Sequence, residues 1–101
     1  MKNLHHDVVS EGAHHIFICF VSSGSLPLKF QWLKDGQVIS KLQKEIQIVS
    51  VDEMSSKLSI KKVTSNDSGN YTCSVQNDVG IDSHTFKLTV KGICICKLRL
   101  N

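Results

Sequence analysis

Asp67-Ser68-Gly69-Asn70-Tyr71-Thr72-Cys73 is the stretch that decides the fold of this chain, read together with Cys19 and Trp32 upstream of it. Asp67 and Gly69 are turn residues: an acid that bonds local backbone amides, and a residue free to take positive φ. After them Tyr71, Cys73 and Val75 alternate with Thr72 and Ser74, the period of a strand with one buried face. Working outward, the same alternation recurs with turn residues between the runs. Leu4 to Val9 reads as the first strand, ended by Glu11-Gly12. In His14 to Val21, Cys19 sets the phase: His15, Phe17 and Cys19 point inward, Ile16 and Ile18 outward. Leu28, Phe30 and Trp32 face the core, and Lys34-Asp35-Gly36-Gln37 turns into Val38-Ile39. Glu45 to Val51 is a further strand, with Asp52-Glu53-Met54-Ser55 as its turn. Leu58 and Ile60 face inward, and Val63 closes the next corner. Asn77-Asp78-Val79-Gly80 turns into the last strand, whose inward residues are Phe86, Leu88 and Val90. No helix longer than a turn, no repeat and no low-complexity segment is legible. The chain reads as all-β.

At 101 residues with 41% hydrophobic content, the chain has material for one domain with one core. The formal charge of +3 is spread without a dense run of Lys or Arg, which argues against nucleic acid as a partner. No apolar stretch reaches the ~20 residues that span a bilayer. Met1-Lys2-Asn3-Leu4-His5-His6 lacks the apolar centre of a signal peptide. Direct membrane insertion by this segment is therefore not expected.

Cys19, Trp32, and Tyr71 two residues before Cys73 together resemble the framework of an immunoglobulin domain, a two-sheet Greek-key sandwich. The resemblance implies that Cys19 and Cys73 sit on opposite sheets and form a disulfide across the core. It also implies that Trp32 packs on that bridge and that the Tyr71 hydroxyl ties the preceding turn to the backbone. Gly12…Cys19, Trp32-Leu33-Lys34-Asp35-Gly36, Leu58-Ser59-Ile60 and the Asp67–Cys73 stretch narrow this to the I-set. The framework then comprises Trp32, Leu58, Asp67, Gly69 and Tyr71. Narrower still, the run from Ser25 to Gly36 with Ser55-Ser56-Lys57-Leu58-Ser59-Ile60 resembles arthropod Down syndrome cell adhesion molecules. Within these it is similar to the alternatively encoded domains, including those of the shortened chelicerate forms. The match covers residues 4–91, so the domain is expected over 1–91. Two features depart from it. No Arg precedes Leu58 to pair with Asp67, since the only arginine is Arg99. The tail of residues 92–101, with Cys94-Ile95-Cys96, matches nothing in the family and is read as a linker or a gene-model overrun.

The family implies a cell-surface receptor whose variable domains bind identical copies on an apposing cell, serving self-avoidance of neurites. It also implies sheet membership. The strands carrying Cys19 and Leu58 share a sheet with the first strand and Glu45–Val51, and those carrying Trp32, Cys73 and Leu88 form the other. Matching in such domains uses the solvent face of the former sheet, here Ile16, Ile18, Gln47, Val49, Lys57, Ser59 and Lys61. Independently of the family, Ile16 and Ile18 are two branched apolar residues in phase on a solvent face, with lysines placed to rim them. A self-complementary interface needs such a patch to contain its own two-fold axis.

The remaining chemistry is sparse. Neighbours on a strand point to opposite faces, so neither His5-His6 nor His14-His15 chelates a metal as a pair. A cross-strand site joining His84 to a first-strand histidine stays geometrically open, yet no metal or other cofactor is expected. His15 is expected to be a hydrogen-bonded boundary residue. Asn66-Asp67-Ser68 and Asn70-Tyr71-Thr72 spell glycosylation acceptors, the second overlapping the corner motif. No inward acid pair, Ser-His-Asp set or phosphate loop supports catalysis, so the chain is not expected to be an enzyme. The Cys pair calls for an oxidising compartment although no leader is legible, which is consistent with a piece of a longer secreted or membrane-anchored receptor. The leading reading is homophilic adhesion. A heterophilic extracellular module and a structural intracellular I-set domain are the alternatives.

Overall fold

The computed structural model describes residues 4–40 and 45–92. Its strands are β1 (Leu4–Ser10), β2 (His15–Phe20), β3 (Lys29–Lys34), β4 (Gln37–Val38), β5 (Ile46–Asp52), β6 (Ser55–Ile60), β7 (Gly69–Gln76) and β8 (Ile81–Lys91). A 3-10 turn, Ser65–Asp67, precedes β7. The strands form a five-stranded sheet, β1-β8-β7-β3-β4, and a three-stranded sheet, β2-β6-β5.

Alternation places the core between them. Phe17, Leu58 and Ile60 from the smaller sheet meet Trp32, Tyr71, Cys73 and Leu88 from the larger. The Phe17 ring lies 4.8 Å from Phe86 and 5.1 Å from Tyr71. Cys19 on β2 and Cys73 on β7 are joined by a disulfide, with Cα atoms 6.3 Å apart. Trp32 stands opposite Cys73 in the β3–β7 register, within the same buried cluster. Its indole Nε1 donates to Ser56 Oγ at 2.9 Å, a hydrogen bond that crosses between the sheets.

The first strand corrects the sequence-based expectation. β1 does not join the sheet of Cys19 and Leu58. It pairs in parallel with β8, from Leu4 opposite Thr85 to Ser10 opposite Lys91. The Glu11 N–H continues that ladder by donating to the Lys91 carbonyl, and Gly12 then carries the chain across to the other sheet. Gly12 stands at φ +90, a conformation that L side chains rarely adopt, and donates to the Val63 carbonyl. Alternation reports which side of a strand is buried, and it is identical whichever sheet supplies the hydrogen bonds. The consequence is that β2 is an edge strand.

The corner before β7 is built locally. The Asp67 carboxylate accepts from the Thr64 N–H (2.8 Å), and the Tyr71 hydroxyl donates to the Asp67 carbonyl (2.6 Å). Burial, with the Asp67 and Asp35 charges adding to it, pushes the Tyr71 phenol well above its ordinary range, so it remains a donor throughout. In place of an arginine, Asp67 has neutral donors, the Thr64 N–H and hydroxyl. Lys34 donates to the Asn66 carbonyl and lies over the Tyr71 ring.

Gly69 has φ +152, and a Cβ there would meet Asp35 Oδ2 at 2.7 Å. The Asp35 carboxylate is held in place by the Asn70 N–H at 2.9 Å. Gly69→Ala is therefore expected to lower stability by about 1–3 kcal/mol in urea denaturation. Adding Asp35→Ala should recover the steric part of that loss and leave the backbone part.

Candidate protein-recognition face

The three-stranded sheet turns its outer face to solvent, and the register of its strands arranges the expected residues in rows. Ile16, Ser59 and Gln47 form one row, and Ile18, Lys57 and Val49 the next. Six of the seven residues proposed from sequence are at least partly exposed: Ile16, Ile18, Gln47, Val49, Lys57 and Lys61. Ser59 is the exception. It is only 7% exposed, so it is not a contact residue. Its side chain is short, it lies on the central strand between Ile16 and Gln47, and its hydroxyl leans onto the Gln47 carbonyl at 3.4 Å. Lys61 lies just past the end of β6, with its N–H on the Glu45 carbonyl.

Two residues of this face escaped the sequence reading. Phe20 is 70% exposed and in phase with Ile16 and Ile18 on β2. Val51 is 54% exposed on β5, beside an irregularity in the β5–β6 register between Ser50 and Asp52. Phe20 was legible from the alternation that placed Ile18. Val51 was legible in the same way, since it follows Gln47 and Val49 in the same period of two. With both included, the apolar exposure runs along β2 and returns on β5, with Lys57 between. Asp52 closes the end of the face. Its carboxylate accepts from the Met54 N–H and the Ser55 hydroxyl, which hold it below the usual carboxylate range.

At the other end of β2, His15 takes the boundary position expected of it, with Nε2 3.0 Å from Asp7 Oδ2. That contact ties β1 to β2 and so links the two sheets. His6 bonds Thr89, and His84 packs edge-on against Phe86. Among the described residues no three His, Cys, Asp or Glu side chains converge on a metal position. Asn66 and Asn70 are both exposed. Cys94 and Cys96 lie outside the described residues. No helix among the described residues is long and apolar enough to cross a membrane. A cleft of about 700 Å³ opens beside β2, between its second half and the start of β8.

Three comparisons place this geometry among known proteins. Residues 1–90 match the immunoglobulin I-set domain model. The cell adhesion molecule Dscam2 of Drosophila melanogaster is 37% identical over 83 residues, covering 82% of this chain and 4% of the relative. Among solved structures, the Dscam1 Ig7 domain, isoform 5, superimposes with a TM-score of 0.80 at 26% identity, covering 84% of this chain and 86% of that one. An I-band fragment of titin, I67–I69, gives 0.78 at 30% identity, covering 88% of this chain and 30% of that one. The chain spans only a small fraction of the length of the curated adhesion relatives it matches. Matched by the family model from its first residue to the end of its last described strand but one position, with the disulfide, the buried tryptophan and the tyrosine corner in place, the chain belongs to the immunoglobulin I-set family and is homologous to domains of the Dscam cell adhesion molecules.

Proposed function

We propose that this domain is an extracellular recognition module that binds an identical domain on an apposing cell through the outer face of the β2-β6-β5 sheet. The observation that carries this reading is the in-phase exposure of Ile16, Ile18 and Phe20 on one strand, with Val49 and Val51 exposed on β5 across the intervening β6. Exposed apolar residues are ordinary one at a time, but three in phase on one strand support a contact surface. Homology to adhesion molecules supports the class of partner, and the Cys19–Cys73 disulfide supports an oxidising, extracellular setting within a plasma-membrane receptor. Residues 1–91 are the functional unit and 92–101 a tail outside it. Asn70 and Asn66 are exposed acceptors that fit an extracellular glycoprotein. In a neuron, such matching would serve wiring and self-avoidance.

One sheet face buries little area, so a single domain should bind weakly, at roughly micromolar strength or below. Specificity would come from charges around the apolar centre, with mismatched partners penalised by unpaired polar groups. Ile18→Lys is the test, since it places a charge at the middle of the face while leaving the core untouched. Sedimentation velocity should show concentration-dependent dimers of the parent chain and none of the variant, with unchanged circular dichroism. An unchanged association constant would sink the reading, and a strict monomer would direct the face to a different protein.

A further inference from the structure

Four strands end the two sheets, and three of them are guarded against pairing with another chain. β4 is two residues long, β5 carries a register irregularity and ends in Asp52, and β1 presents His6 and Asp7. β2 has none of these devices. It runs six residues without Pro, Gly, Lys, Arg, Asp or Glu, its register with β6 is unbroken, and among the described residues it pairs with β6 alone. Among the described residues, the cleft beside it leaves the edge uncovered from the inner side as well.

The direction of its free backbone groups follows from one hydrogen bond. The Val21 N–H donates to Met54, on the β6 side. N–H and C=O groups alternate direction along a strand, so those of Cys19, Phe17 and His15 also face β6. Those of Ile16, Ile18 and Phe20 therefore face the open edge. These are the same three residues whose side chains are exposed on the outer face.

We propose that this edge pairs with the β2 edge of a second copy of the chain, antiparallel about a two-fold axis at Ile18. This deepens the homophilic reading and rests on it. Ile18 meets Ile18, and Ile16 meets Phe20 in both directions. Every edge-facing N–H and C=O of the three residues then has a partner, giving a continuous sheet of six strands. A slip of one residue would set edge-facing groups against groups already spent on β6, so the backbone allows only steps of two. Of these, the pairing centred on Ile18 is the one that engages all three residues. The same register brings β-branched and aromatic side chains into cross-strand pairs on the outer face.

Charge permits it. The three paired residues carry none, and the nearest cation on that face is Lys57, one strand in from Ile18. The two Lys57 side chains would stand about three strand spacings apart, roughly 14 Å, beyond the screening length at physiological salt. Six strand residues per copy bury less than a stable dimer needs, so the pair forms only at high local concentration, as between apposed surfaces.

The test is amide hydrogen exchange by NMR on the 101-residue chain carrying Cys94→Ser and Cys96→Ser, from about 10 μM to 1 mM. The expected result is slowing of at least ten-fold at Ile16, Ile18 and Phe20 on concentration. Ile18→Pro, which removes one edge donor where an edge strand tolerates it, should weaken self-association at least ten-fold while the chain stays folded. Dimers whose Ile16, Ile18 and Phe20 amides exchange at the monomer rate would overturn the edge geometry and leave the face reading standing. No self-association at any concentration would overturn both. Protection of these amides in a monomer would show a segment of the same polypeptide on the edge, and would also overturn the proposal.

Discussion

Trp32→Ala is expected to leave a chain that does not hold its fold at physiological temperature. The indole is 2% exposed and packs among Phe17, Phe86 and the disulfide cluster, so truncation opens a cavity where three strands meet. Large-to-small substitution of a buried tryptophan costs about 3–5 kcal/mol. A second loss adds to it. Ser56 is 3% exposed and accepts the indole N–H, so its hydroxyl would lose that partner in a dry environment, a penalty of about 1–3 kcal/mol. Against a total of about 5–15 kcal/mol for a domain, the sum removes most of the margin. Urea denaturation of a refolded sample is the measurement, with Trp32→Phe separating the two losses by keeping most of the volume and removing the donor. A shift below about 1 kcal/mol for Trp32→Ala would mean that the indole does not fill the core as described.

Replacing Cys19 and Cys73 together by alanine should cost about 4 kcal/mol, because the bridge closes a loop of 54 residues that would otherwise be free in the unfolded chain. The expected signature is a lower denaturation midpoint with a larger dependence on denaturant, since the unlinked chain unfolds to a more exposed state. An equal midpoint for oxidised and substituted protein would refute the assignment of this link as a main source of stability. The two losses should not add. Trp32 and the disulfide share one cluster, so the triple variant is expected to lose less than the sum of the separate changes. The disulfide acts mainly on the unfolded chain, and the tryptophan on the packed core. A comparison of unfolding rates would therefore separate them, with Trp32→Ala unfolding faster.

The outer face of the β2-β6-β5 sheet illustrates where reading along the chain stops. Ile16 and Ile18 were placed outward by their phase with Cys19, and the same phase extends to Phe20. Ser59 shares the outward phase and is nonetheless buried, because exposure on a central strand depends on the length of the neighbouring side chains. Val51 keeps the phase of Gln47 and Val49. At the irregularity between Ser50 and Asp52, however, both of those neighbours are exposed too, so alternation there no longer marks a buried side. His15 was legible as a boundary residue, but its partner Asp7 belongs to a strand in the other sheet and required the crossover at Gly12 to arrive. Ser56 as acceptor for the Trp32 indole was likewise invisible, since nothing in Ser55-Ser56 distinguishes a surface serine from one that spans the two sheets.

By itself the sequence determined the all-β class, the inward set of each strand, the turns and the corner at Asp67–Tyr71. These depend on local periodicity and on residues whose backbone preferences act within a few positions. Only the tertiary structure decided which sheet receives the first strand. Both sheets offer the same hydrophobic face, and the choice is made by hydrogen-bond partners some eighty positions away, from Leu4 opposite Thr85 onward. That choice leaves β2 at an edge, with Ile16, Ile18 and Phe20 presenting both their side chains and their backbone groups to solvent.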